Sequence, residues 1–344
     1  MKKVLLVLLL LIALGIMGCL YFMNTLDKPL DPDSTEEISV EIPEGTGANA
    51  IGEILEANGV ISSATKFKLY LRTTDIEGDM KAGSYTLSPS MSFGEIIEML
   101  INNEVNDNTI TFPEGLTIEQ DAMKVAEANL GTYEAFVYAS ENGSFDYSFL
   151  KDNSLEGYLL PNTYRVKQGM TEEEIVDMLL NQFEDTVLPL YEEADPKIKE
   201  KYTLNEIITV ASIIERECKV DEERPLVASV IYNRMDQNIM LQMCSTIQYL
   251  LLKETGEVKE TLYESDLAID SPYNTYIHYG LPPAPICSPG IASIKAALEP
   301  ADTDYLYFVL SSKLDGTSEF SSDYNKFLKD KEDYYAALNS SDNG

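Results

Sequence analysis

The sequence predicts an α+β protein in three parts: an N-terminal transmembrane helix, one or more small α/β modules, and a mainly helical domain with a loop-rich cleft. Three observations carry this expectation. The uncharged run from Val4 to Met23 has about the ~20 residues a helix needs to cross a bilayer core. A strand-turn-helix pattern opens at Ile42-Pro43-Glu44-Gly45 and recurs at Phe112-Pro113-Glu114-Gly115. From Thr171, capped amphipathic segments follow one another closely, then give way to a stretch dense in Pro, Tyr and Gly at Ser271–Pro289.

Each element has a local cause. Lys2 and Lys3 before the apolar run favour a cytoplasmic N-terminus, with the rest of the chain outside. A cleaved signal peptide is one alternative. Acylation at Cys19, within Ile16-Met17-Gly18-Cys19, is another, although the apolar run continues through Leu20 to Met23. Residues 1–25 are thus the anchor and 26–37, rich in Asp, Pro, Ser and Thr, a solvated linker. Ile38–Ile42 alternates apolar with polar side chains, the mark of a half-buried strand. A helix follows over Ala48–Asn58, stopped by Asn58-Gly59. A second helix is expected at Thr65–Leu71, a strand at Gly83–Leu87, and a helix at Ser92–Ile101 capped by Ser92 with Glu95. Residues 38–108 form the first module. The remainder, 109–340, begins with the second strand-turn-helix unit, at about 109–165. Helices are expected at Thr171–Glu184, Asp195–Glu200, Thr203–Cys218 and Asp221–Met235, with capping boxes at Thr171/Glu174 and Thr203/Glu206. A short helix at Gly290–Leu298 and a buried strand at Tyr305–Leu310 close the pattern, and the tail beyond Ser340 should fray.

Composition removes whole classes of function. The 344 residues carry 58 acidic and 25 basic side chains, a formal net charge of -33. Such a surface has nothing with which to neutralise phosphates, so no nucleic-acid partner is expected. A single histidine, His278, rules out a multi-histidine zinc site, and because we read it as an exposed loop residue it leaves no histidine for a Ser-His-Asp triad. No metal or cofactor is expected. Chemistry must fall to carboxyl, amine, phenol, thiol or backbone groups.

The helix from Leu204 holds the leading candidate. At 100° per residue, Leu204, Ile207, Ile208, Ala211, Ile214 and Cys218 form an apolar stripe with Glu215 in its middle. Asn205, Thr209, Ser212 and Arg216 form the polar side, and Glu217 falls beside Val210 and Ile213. A carboxyl in an apolar site holds its proton to higher pH, as a general acid must. The alternative is a structural ion pair, with Arg224, Arg234 or Lys295 as the partner.

Five segments in order then carry a resemblance: Leu155–Tyr164, Ala211–Glu217, Ser271–Tyr276, Gly280–Ile286 and Tyr305–Val309. Together they resemble the YceG-like (MltG) family of endolytic peptidoglycan transglycosylases over roughly residues 38 to 335. The resemblance implies a membrane-anchored enzyme with a LysM-like module at 38–108 and a lysozyme-like catalytic domain at 109–340. It implies cleavage of the MurNAc-β-1,4-GlcNAc bond within nascent strands to leave 1,6-anhydroMurNAc ends. The family's catalytic Glu maps onto Glu215, with Glu217 and then Glu156 as rivals. Two departures stand out. Many members have Asp where this chain has Cys244, and His where it has Ser318.

On this reading Glu215 protonates the glycosidic oxygen, then accepts the proton of the MurNAc C6 hydroxyl as that oxygen attacks C1. A tethered nucleophile gains effective concentration and needs no external water. Tyr273, Asn274 and Thr275 are expected to line the cleft, with Gln242, Thr246 and Tyr249 on the other wall and Glu156 and Tyr158 nearby. Outside the membrane thiols are commonly paired, so a disulfide between Cys244 and Cys287 is expected, with Cys218 a buried thiol. The partners implied are peptidoglycan glycan strands, cell-wall synthases (penicillin-binding proteins), and the cell membrane through a single-pass helix. Two other readings stay open: a muramidase-type hydrolase using Glu217 or Asp266 as second carboxylate, and a non-catalytic glycan-binding scaffold.

Overall fold

The computed structural model of the chain describes residues 27–43, 45–74, 80–102, 108–150, 154–167 and 169–341. The expected anchor, with Lys2, Lys3 and Cys19, lies outside them. Among the described residues no helix is long and apolar enough to cross a membrane. The protein is of mixed α and β structure, with three two-stranded sheets among the described residues. It divides into two compact units, one of residues up to Thr109 with Arg165–Gly169, the other of Ile110–Tyr164 and Met170 onward.

In the first unit, β1 (Ile38–Ile42) pairs antiparallel with β2 (Gly83–Leu87), with Val40 opposite Tyr85 and Ile42 opposite Gly83. Helices α1 (Ala48–Ala57) and α2 (Ala64–Thr74) lie between the strands in sequence, and α3 (Phe93–Asn102) follows them. The alternation read from Ile38–Ile42 is real: Val40 and Ile42 are buried, whereas Ser39 and Glu41 are exposed. They join Ile51, Leu55, Phe67, Leu71, Tyr85, Leu87 and Ile96 in one core. The cap of α3 forms as the sequence implies. Glu95 Oε2 accepts from the Ser92 N–H at 2.8 Å, and Ser92 Oγ from the Glu95 N–H at 3.3 Å.

Strands β3 (Asn108–Phe112) and β4 (Asn162–Val166) form the second sheet. In the second unit, α4 (Ile118–Glu127) starts at a capping box of Thr117 with Gln120, and α5 (Tyr133–Asn142) follows. The helical stretch is α6 (Glu172–Glu193), α7 (Pro196–Lys201), α8 (Leu204–Glu217) and α9 (Arg224–Asp236), the last preceded by a 3₁₀ turn at Asp221–Glu223. Both expected capping boxes, at Thr171 and Thr203, are formed. α6 runs past Glu184 and through Pro189, where the sequence had suggested an earlier end. Helix α10 (Cys244–Thr255) was not expected, and neither were the tertiary contacts that support it. Then come α11 (Ile291–Leu298), the hairpin of β5 (Tyr307–Leu310) and β6 (Ser318–Ser321), and α12 (Tyr324–Ser341). β5 is half-buried throughout, so its apolar run does not mark a core strand.

Helix α8 is the centre of this unit. Every residue from Ile207 to Ile214 is buried, so the helix is enclosed on all sides. Two members of its supposed polar side, Thr209 and Ser212, are therefore inside, while Arg216 is exposed. Thr209 resolves this by donating to the Asn205 carbonyl, and Ser212 by donating to the Thr209 carbonyl. α11 and α9 pack on α8.

Candidate active site

At its last turn α8 reaches the surface and presents Glu215. The carboxyl is not in the apolar pocket that the helical wheel implied. Arg224 Nη1 lies 3.3 Å from Oε1, and the two side chains are 9% and 8% exposed. Oε2 accepts from the Gly290 N–H at 3.0 Å and from the Ser293 hydroxyl at 2.9 Å. Arg224 also donates to Ser293, and through Nε to Asp221 at 2.9 Å. The ion-pair alternative is thus the observed one, with Arg224 as the partner. Gly290 is the N-cap of α11, so the carboxyl also faces the positive end of that helix. Arg224 is placed by Pro225 in the first turn of α9, and Ser293 by the first turn of α11.

The two rivals to Glu215 have other duties. Glu217 Oε1 accepts from the Ser245 N–H at 2.9 Å, which satisfies an orphan donor at the start of α10. Burial pushes its carboxyl up, against the pull of that hydrogen bond. Glu156 is buried, with Oε1 3.3 Å from the Ile118 N–H and Oε2 3.5 Å from the Tyr249 hydroxyl. Burial first, and then the Glu119 charge, raise it to about 8, with Lys253 opposing. Asp121, beside it, is pushed well up by burial, by Glu156 and by Glu119, and its Oδ1 has no hydrogen-bond partner. Asp266, proposed for water activation, accepts from Lys259 and from the Tyr263 N–H at 2.7 Å.

Of the expected sugar contacts, several are enclosed. Asn274 is fully buried and donates to the carbonyls of Leu267 and Ile269 while accepting from the Tyr276 N–H. Thr275 and Thr246 are buried, with their hydroxyls 3.0 Å apart, and Thr275 also accepts from the Met243 N–H. Thr246 and Thr275 hold the Leu241 segment and the Ser271 loop together, and Asn274 ties that loop to itself; all three side chains are buried. Tyr158 is buried against Phe149 and Phe183 and donates to Asn205, away from Glu215 along α8. Tyr249 and Tyr273 lie with ring centroids 5.2 Å apart and planes tilted by 41°, and Tyr273 is partly exposed. Gln242 is exposed with φ 52°, an uncommon conformation for a non-glycine residue. A narrow slot next to Glu215 is lined by Gly115, Gln120, Arg216, Gln248, Tyr249 and Ile286. His278 is exposed, as expected.

The expected disulfide is absent. Cys244 and Cys287 are both free thiols, as is Cys218. Cys287 is buried, with Sγ 3.4 Å from the Ser212 carbonyl, whereas Cys244 is exposed and lies 3.1 Å from the Tyr276 hydroxyl. Each sulfur is turned to a different neighbour. Cys218 is buried, as its place on the stripe implied.

One group at the site was not picked out from the sequence. Glu114, at the tip of the second Pro-Glu-Gly turn, brings its carboxyl against Gly290. The repeat of that turn is visible in the sequence, but its arrival beside a helix cap 176 residues later is not.

Comparisons with known proteins agree with one another. A family model, the YceG-like family, matches residues 40–333. A Bacillus subtilis protein named endolytic murein transglycosylase is 31% identical over 94% of this chain and 91% of its own length. One of the same name from Streptococcus pneumoniae is 33% identical over 87% of this chain, which spans only 59% of that protein. The crystal structure of a YceG-like protein from Listeria monocytogenes matches 86% of this chain and 99% of its own, with a TM-score of 0.56 and 32% identity.

Proposed function

The chain belongs to the YceG-like family, and from that premise we propose that it is an endolytic lytic transglycosylase of peptidoglycan. The observation that carries the reading is Glu215, a carboxyl held at the end of α8 by Arg224, Gly290 and Ser293. The whole-length likeness to the Bacillus subtilis enzyme supports the same substrate and reaction. Glu215 accepts the proton of the MurNAc C6 hydroxyl as that oxygen attacks C1, and the glycosidic oxygen leaves protonated. In the one-carboxylate form of the mechanism, Glu215 makes both transfers in turn.

The proposal extends to the rest of the chain. Residues 1–25 anchor the protein in the cell membrane with the N-terminus cytoplasmic, and 38–108 form a LysM-like module. The catalytic unit then works outside the membrane on strands made by cell-wall synthases. A hydrolase would need Glu217 or Asp266 as its second carboxylate; Glu217 accepts from the Ser245 N–H at the start of α10, and Asp266 from Lys259 and the Tyr263 N–H.

Mass analysis of products from uncrosslinked strands tests the reading. Wild type should leave 1,6-anhydroMurNAc ends, one water lighter than hydrolysis products, and Glu215→Gln should lower turnover at least ~100-fold. Reducing-end MurNAc from wild type, or normal turnover in Glu215→Gln, would refute it.

A further inference from the structure

Glu114 is fixed beside Glu215 by the backbone. The Gly115 N–H donates to the Ser288 carbonyl at 2.8 Å, and the Ser288 N–H to the Leu116 carbonyl at 2.8 Å. These two bonds strap the Pro113–Gly115 turn to the loop that enters α11. Gly115 adopts φ 80°, and a Cβ there would stand 3.6 Å from Glu215 Cγ. At Gly290 a Cβ would fall 1.9 Å from Glu114 Oε1 and 2.7 Å from Oε2. Gly290 has φ -73°, which any residue adopts, so it is the Glu114 carboxyl that keeps this position bare. The same glycine gives its N–H to Glu215. Two carboxyl groups therefore meet at one residue.

Their surroundings differ. Glu215 is enclosed and receives three donors. Glu114 is an exposed residue that reaches solvent. The charged groups that act on it are Glu215 from α8, Arg224 from α9 and Asp221 from the 3₁₀ turn. Burial of its carboxyl, and next the charge of Glu215, lift Glu114 above the ordinary carboxylate range, while Arg224 opposes them and Asp221 adds to them.

We propose that the acid–base work is divided, with Glu114 delivering the proton to the leaving oxygen and Glu215 taking the proton from the C6 hydroxyl. This rests on the transglycosylase reading. The bond from MurNAc C1 to the GlcNAc oxygen breaks, and its electron pair stays on that oxygen, which takes the Glu114 proton. The C6 oxygen bonds to C1 and its proton passes to Glu215. No water is consumed and nothing is oxidised or reduced. The proton returns from Glu215 to Glu114 through solvent before the next cycle.

The test uses the full chain on uncrosslinked strands that carry stem peptides, with turnover followed against pH. Wild type should fall on the alkaline side as Glu114 loses its proton. Glu114→Gln should lower kcat at least ~100-fold, and its residual rate should lack that alkaline fall. Glu114→Asp should keep the fall at a reduced rate. Gly290→Ala, which displaces the carboxyl without removing it, should also lower kcat while the melting temperature stays near that of wild type. A Glu114→Gln rate within a few-fold of wild type would overturn the proposal. So would a deep loss that keeps the alkaline fall, which is the mark of a structural role. Product mass reports separately on the underlying reading: anhydro ends from wild type uphold it, while reducing ends mean that Glu114 serves water and the division is wrong.

Discussion

Glu156→Gln gives a quantitative test of the buried acid cluster behind the slot. Glu156 is 3% exposed and its carboxyl is raised to about 8, chiefly by burial and then by Glu119. An ordinary glutamate in the unfolded chain titrates near ~4.3. The folded state therefore binds this proton more tightly than the unfolded state. The contribution to stability is complete below the unfolded value and is lost as pH rises through about 8. The loss amounts to about 4 kcal/mol at pH 7 and on the order of 5 kcal/mol above pH 8. Glutamine cannot ionise, keeps an oxygen for the Ile118 N–H, and offers its amide to the Tyr249 oxygen. Asp121 feels the charge of Glu156, so its own penalty shrinks in the variant, with the same sign. Denaturant unfolding at a series of pH values should find the variant within about 1 kcal/mol of wild type at pH 5 and more stable by several kcal/mol at pH 9. For a unit of this size that is on the order of 10 °C in melting temperature. A stability difference that stays constant from pH 5 to pH 9 would refute the argument.

Three further outcomes are expected. Gly157 has φ 88° and a Cβ there would lie 2.5 Å from Pro285 Cβ, so Gly157→Ala should cost at least ~2 kcal/mol in unfolding free energy and loosen the loop beside Glu215; a neutral result in thermal melts would show that the loop is not locked there. A thiol reagent on the native protein should label Cys244, slowly because burial of its sulfur raises the thiol, and should spare Cys218 and Cys287 until unfolding; a Cys244–Cys287 peptide in non-reducing maps would contradict the structure. Thr203→Ala removes the capping box of α8 and should lower stability by about 1 kcal/mol in denaturant titrations, with turnover per folded molecule unchanged.

Much of the fold was legible because its causes are local. The alternation of Ile38–Ile42 and the Thr171 and Thr203 capping boxes involve residues within a few positions of each other. Glu215 was legible for a related reason: its anomaly lies on its own helix. The wheel could not tell which groups would answer that anomaly, since Gly290 and Ser293 lie 75 and 78 residues away. The burial of Thr209 and Ser212 was missed because α11 and α9 enclose α8, and a helix surrounded by helices has no polar face to read. α10 was missed because its start is stabilised from outside, by Glu217. Asn274 and Thr275 read as sugar contacts in the sequence because amides and hydroxyls in a Tyr-rich loop suit that role. The same groups serve equally to tie a loop that has no regular hydrogen bonds of its own.

The departures from the family pattern bear on whether the site is intact. The loop before α11 is the common partner of three distant segments. The Ile286 N–H donates to Ser212 on α8, Pro285 fills the space left by Gly157, and Ser288 exchanges two bonds with the Gly115 turn. All three meet at the approach to Gly290, which holds Glu215. Cys244 lies elsewhere, at the start of α10 against Tyr276. Ser318 lies in the β5–β6 hairpin, where its N–H donates to Glu223. Neither is among the hydrogen-bond partners of Glu215, nor among the groups whose charge acts on Glu114. Cys244 and Ser318 therefore lie apart from both carboxyls, and the roles proposed for Glu215 and Glu114 do not depend on either altered position.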